Sequence, residues 1–176
     1  MHRPSGRAPA LGILLGLALS LAPRAMAEPR PMTVQTLVDR AEIEDLLTRY
    51  YYNLGHSSPE GFSAFYAPDA EMVLGGKSYR GKAAIEGGYR AAGASTPALK
   101  GFSFNVSLSN PLIVVHGTTA TAQLIFTEIV IDTEGAAPRL LTQGREYDNL
   151  AKLKGQWRFT RRQILPGAQS PAGWTE

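Results

Sequence analysis

The sequence predicts an α+β fold: a curved antiparallel sheet wrapped around helices, a cone-shaped α+β barrel. Three observations lead there. Between Ala41 and Leu54 apolar residues recur at helical spacing. From Gly101 onward the pattern changes to period two, with many β-branched residues. Helices first and a run of strands afterwards is the α+β order. The strands read over 102–115 and 118–132 also far exceed the usual length of about five or six residues. A long antiparallel sheet twists and curls. Helices must cover its concave side, and whatever they leave unfilled is a pocket.

The elements follow in order. Residues 1–27 are expected to be a cleavable signal peptide. Arg3 and Arg7 precede the apolar run ALGILLGLALSLA, and Ala25-Met26-Ala27 forms an A-x-A site. That run is too short to span a membrane, which takes roughly 20 residues. The expected mature chain, 28–176, is therefore a single domain without a membrane anchor, exported to the periplasm or secreted. The first helix is predicted with Thr36 and Asp39 as a capping pair and Gly55 as its stop. A short helix starts at Ser58-Pro59 and closes over Ala67–Ala70. A strand is expected over 71–74, a turn at Gly75-Gly76 and a third helix over 82–92, weakened by Gly87-Gly88. Four strands follow: 102–115, 118–132, 139–153 and 156–165. Asn110-Pro111 predicts a bulge in the first of them.

Composition narrows the function. Three of the 18 Lys+Arg lie in the expected signal, so the mature chain balances its 15 Asp+Glu and carries no formal net charge. No basic stripe points to nucleic acid. The absence of cysteine excludes a thiol nucleophile, and with two histidines after residue 27 it argues against a zinc site. No P-loop, G-x-G-x-x-G, G-x-S-x-G or H-E-x-x-H motif is present. Any chemistry is expected to be acid–base work without a cofactor.

The last hairpin offers the candidate site. A two-residue turn at Lys154-Gly155 places Leu150 opposite Phe159, Asp148 opposite Arg161 and Glu146 opposite Gln163, all on the face of Trp157. Arg162 falls on the other face, with Tyr147 and Arg158. Charged residues on a covered face are costly unless paired. Asp148–Arg161 is then either a structural ion pair or a catalytic acid–cation pair, and Glu146, with no cation opposite, is the carboxyl expected to have a raised pKa. Tyr50 and His56, at the end of the first helix, complete the expected catalytic group of Tyr50, His56, Glu146, Asp148 and Arg161. Tyr51, Leu54, Asn105 and Gln163 are the expected ligand contacts. Glu128, a polar residue in an apolar strand, ranks lower.

Three stretches resemble the SnoaL-like branch of the nuclear-transport-factor-2-like superfamily: DRAEIEDLLTRY (39–50), FYAPDA (65–70) followed by YRGKAAI (79–85), and GREYDNLAKLKGQWRFTR (144–161). The resemblance implies a cone of curved sheet and three helices, a pocket for a hydrophobic or aromatic small molecule, and homodimers or homotrimers. It also implies cofactor-free dehydratase, isomerase, cyclase or lyase activity, including the lyases of lignin-derived diarylpropanes. Where dehydratases of this kind carry an acid and a histidine, this chain has Gly55 and Val106. The expectation is a cofactor-independent lyase or isomerase acting on an aromatic or polycyclic molecule. The alternatives are a non-catalytic periplasmic binding protein and an assembly module whose cone is filled by side chains.

Overall fold

The computed structural model describes residues 32–52, 54, 59–96, 100–167 and 169–174. The expected signal peptide, Gly55 and His56 lie outside the described residues. The first helix, α1, spans Val34–Tyr52. It starts earlier than its apolar pattern because Thr33 and Thr36 cap it reciprocally. Thr33 Oγ1 accepts from the Thr36 amide at 3.1 Å, and Thr36 Oγ1 accepts from the Thr33 amide at 2.8 Å. Asp39, expected in the cap, instead lies on the buried stripe with Ile43, Leu46, Leu47, Tyr50 and Tyr51. Each buried aliphatic there contributes roughly 1.5–3 kcal/mol. The Asp39 carboxylate accepts from Lys152 Nζ at 2.6 Å and Trp157 Nε1 at 3.3 Å, which ties α1 to the last hairpin.

Helix α2 is short, Pro59–Ser63. Strand β1 runs from Tyr66 to Leu74, so Ala67–Ala70 belongs to the sheet and does not close a helix. β2 (Lys77–Arg80) and α3 (Lys82–Ser95) follow. Gly88 lets α3 sit close on the sheet: a Cβ there would meet Met72 and Tyr79 at 3.0 Å. The long strands are β3 (Ser103–His116), β4 (Thr119–Ile131), β5 (Arg139–Leu153) and β6 (Gln156–Pro166).

The six strands form one curved sheet in the order β2-β1-β6-β5-β4-β3, whose ends do not pair, so the barrel is unclosed. All neighbours are antiparallel except β1 and β6, which run parallel. The expected bulge in β3 is present: pairing with β4 shifts between Ser109 and Leu112, and Asn110 takes φ 52°. The core lies between the sheet and the helices, and α1 packs on β3 and β6 while α3 packs on β1 and β2. On the opposite face the C-terminal segment returns over the sheet. Tyr147 donates to the Gln169 carbonyl at 3.0 Å, and its ring meets Trp174 edge-on at 5.0 Å.

The last hairpin keeps the predicted register only near its turn. Leu153 pairs with Gln156, Lys152 with Trp157 and Leu150 with Phe159. A bulge then places one extra residue, Thr160, in β6, and its hydroxyl donates to the Asn149 carbonyl at 3.0 Å. A one-residue shift exchanges the two faces of a strand. Asp148 therefore pairs with Arg162, not Arg161, and Glu146 with Ile164, not Gln163.

Candidate functional site

Two polar groupings occupy the covered face of the sheet. The first is a fully buried charge cluster. Glu146, Asp148 and Arg162 are each 0% exposed. Arg162 Nη2 lies 2.5 Å from Glu146 Oε2, which also accepts from the Tyr51 hydroxyl. Asp148 is further from the cation, whose nearest approach is Nε at 3.9 Å, and its carboxyl lies within hydrogen-bonding reach of Glu146. The guanidinium is stacked over the Tyr50 ring, 3.7 Å from its centroid, and 4.6 Å from that of Phe159.

One arginine cannot neutralise two buried carboxylates. Desolvation, and then the charge of Glu146, push the Asp148 carboxyl well above the ordinary aspartate range, against the pull of Arg162. Asp148 is thus a carboxyl of the hairpin with a raised pKa. Burial and the Glu146 charge also raise the Tyr51 phenol well above its ordinary value, which keeps it a donor.

The second grouping surrounds a cavity of about 480 Å³ between the covered face, α1 and α3. Its walls are largely apolar, with Phe62, Phe104, Phe126, Leu54, Leu74 and Ile164 among them. Its polar lining includes Tyr50, Tyr51, Tyr89 and Glu128. The hydroxyls of Tyr50, Tyr89 and Tyr66 form a chain: Tyr50 bonds Tyr89, and Tyr89 bonds Tyr66 at 2.7 Å. Three hydroxyls carry three protons, and the two internal bonds use two. In two of the three possible arrangements the remaining proton is on Tyr50 or Tyr89, both on the cavity wall. Burial raises all three phenols, so they stay protonated. Glu128 is half-buried on β4, and burial raises its carboxyl above the ordinary glutamate value. Among the described residues no cation or donor is bonded to it.

The candidates read from the sequence divide among these places. Tyr50, Tyr51 and Leu54 line the cavity. Glu146 and Asp148 are covered, but behind the tyrosines rather than on the cavity wall. Arg161 and Gln163 lie on the other face, where Arg161 Nη2 donates to Gln163 Oε1 at 2.8 Å and Arg161 Nε to Glu71 at 3.2 Å. Asn105 is exposed and borders an open groove with Thr48, Tyr52 and Leu108, which shares Tyr51, Leu54 and Phe104 with the cavity. Arg162, placed outward by simple alternation, is the buried cation. Glu128, low among the sequence candidates, is the acid on the cavity wall; its signal is acidity inside an apolar strand. No described His, Cys, Asp or Glu residues cluster as a metal site, and no described helix is long and apolar enough to cross a membrane.

A curved sheet covered by helices over an apolar cavity is the NTF2-like fold, and NTF2-like domains bind small hydrophobic ligands. Residues 35–163 match the SnoaL-like domain family, and the chain belongs to it. That family includes cofactor-independent isomerases and dehydratases. Solved structures share the fold. A candidate scytalone dehydratase from Novosphingobium aromaticivorans is 24% identical, with 82% of this chain and 100% of that one covered and a TM-score of 0.64. Aln2 from a Streptomyces species is 21% identical over 77% and 93% of the two chains, with a TM-score of 0.65. A protein of unknown function from Mycobacterium tuberculosis is 20% identical over 76% and 74%, with a TM-score of 0.64. No functionally curated protein matches the chain.

Proposed function

We propose that the chain is a cofactor-independent lyase or isomerase that moves a proton on an aromatic or polycyclic small molecule held in the cavity. One observation carries the reading: a single apolar cavity presents both a carboxyl raised by burial, Glu128, and the hydroxyls of Tyr50 and Tyr89, able to donate in two of the three arrangements of their chain. A base and a donor on one apolar volume are the parts that enolisation needs. Glu128 as carboxylate takes a proton from the carbon beside a carbonyl. The electron pair moves to the carbonyl oxygen, where Tyr50 or Tyr89 donates to the developing oxyanion. The neutral Glu128 then returns the proton to another carbon, completing an isomerisation, or to a departing hydroxyl, completing a dehydration. Arg162 and Glu146 hold Tyr50 and Tyr51 from behind. The lignin-derived aromatics named by the family resemblance belong to this substrate class. We propose also that the mature protein is exported, to the periplasm or outside the cell, on the strength of its charged, apolar and A-x-A segments.

The test is exchange of the α-protons of tetralone in heavy water, followed by mass spectrometry. Wild type is expected to accelerate exchange, and Glu128→Gln to abolish the acceleration. Tetralone that binds wild type without exchanging would sink the catalytic reading. It would favour the periplasmic binding protein, which the covered position of Glu146 and Asp148 also allows.

A further inference from the structure

The row of β5 side chains facing the helices reads Leu150, Asp148, Glu146 and then Gly144. Directly opposite Gly144, on β4, is Phe126. Its ring does not stand off the sheet. It lies sideways over the glycine, so that a Cβ at position 144 would be 2.6 Å from Phe126 Cζ and 2.7 Å from Cε1. No side chain can share that space. Phe126 is also a wall of the cavity, two residues from Glu128 on the same strand. A ring folded onto a bare stretch of strand is a flat surface, whereas a ring forced upright would stand in the cavity.

We infer that Gly144 is a specificity-determining residue: by lacking a side chain it lets Phe126 lie down as an aromatic floor, and so sets the cavity to accept fused ring systems rather than single rings. The inference rests on the reading of this cavity as the ligand site. A planar polycycle gains stacking area on such a floor, while a single ring uses only part of it. The absent side chain matters twice, because a Cβ at 144 would also come within 2.3 Å of the Leu165 carbonyl oxygen on β6. Substitution there therefore disturbs the strand pairing as well, and the test needs a partner variant that leaves Gly144 in place.

The experiment titrates the full chain with phenol, naphthol and phenanthrol by calorimetry, for wild type, Gly144→Ala, Phe126→Ala and the double variant. Circular dichroism confirms the fold of each. Gly144→Ala is expected to weaken naphthol binding by about tenfold or more relative to phenol. The double variant is expected to show the same size preference as Phe126→Ala, because no ring is left to displace. Phe126→Ala alone removes the floor and is expected to lower phenanthrol affinity by about tenfold relative to phenol. If Gly144→Ala does not fold, Phe126→Ala decides: an unchanged ratio of phenanthrol to phenol affinity overturns the inference. Probes that bind every variant with one size preference overturn the role of Gly144 and leave the ligand site standing. A wild type that binds none of the three overturns both.

Discussion

Asp148 and Glu128 are both carboxyls on the covered face of the sheet, and burial raises both. They differ in what they can reach. Asp148 is 0% exposed, enclosed by Glu146, Arg162 and the tyrosine wall. Glu128 opens onto a cavity of about 480 Å³. A perturbed carboxyl is a functional signal only where a reacting atom can approach it. The first group therefore supports the architecture, and the proposed chemistry falls to the second. Substitutions separate these roles.

The largest effect is expected at Arg162. Arg162→Met leaves Glu146 and Asp148 without their only buried cation among the described residues, and losing one partner of a buried pair costs about 3–5 kcal/mol. Urea denaturation measures it. Adding Glu146→Gln to Arg162→Met should restore part of the loss. A single variant as stable as wild type would show that the cluster is not the support described. Next comes Glu128→Gln. It should lower kcat/KM by about 100-fold or more while stability stays within about 0.5 kcal/mol. The neutral amide removes the cost of burying charge, so any stability change should be a gain. Activity lost together with stability would instead make Glu128 a structural residue.

Asp148 is expected to show itself through pH. Its folded pKa is raised, so the folded chain keeps a proton that the unfolded chain releases near the ordinary aspartate value of 3.8. The resulting stabilisation is full below that value and is lost as pH rises through the folded pKa. Asp148→Asn has no such proton to lose. Wild type should therefore lose stability relative to the variant on going from about pH 4 toward neutrality, by up to about 1.4 kcal/mol per pH unit. Denaturation curves across that range check it. A gap that does not change with pH would mean that Asp148 ionises normally in the fold.

Most element boundaries are legible in the sequence because turn residues and period-two patterns are local. Lys154-Gly155 and Asn110-Pro111 mark a turn and a bulge by their own chemistry. The bulge at Thr160 has no such marker, and a threonine in a strand is ordinary. Beyond it every side chain of β6 changes face, so Arg161 and Arg162 exchange roles although the strand itself lies where it is predicted. Two adjacent arginines give the pattern nothing with which to choose between them. Glu128 is visible as an acid among apolar neighbours, but its importance depends on what α1 and α3 leave uncovered. That is a property of packing across the chain, which strand periodicity does not contain. The start of α1 differs for a smaller reason: Thr33 and Thr36 make the capping box, and Thr36 with Asp39 has the same spacing.

The neighbouring arginines give the smallest expected effect and the sharpest control. Arg161 differs from Arg162 by one position, yet its side chain is 37% exposed, and its bonds to Glu71 and Gln163 lie on the far face of the sheet from the cavity. Solvent screens such a pair, so Arg161→Met should cost about 0–1 kcal/mol and leave kcat/KM unchanged. Denaturation of Arg161→Met and Arg162→Met side by side reads the bulge directly. If the hairpin kept simple alternation, Arg161 would be the buried cation and the order of the two losses would reverse. A larger loss at Arg161 would therefore restore the Asp148–Arg161 pairing and return those two residues, with Gln163, to the covered face.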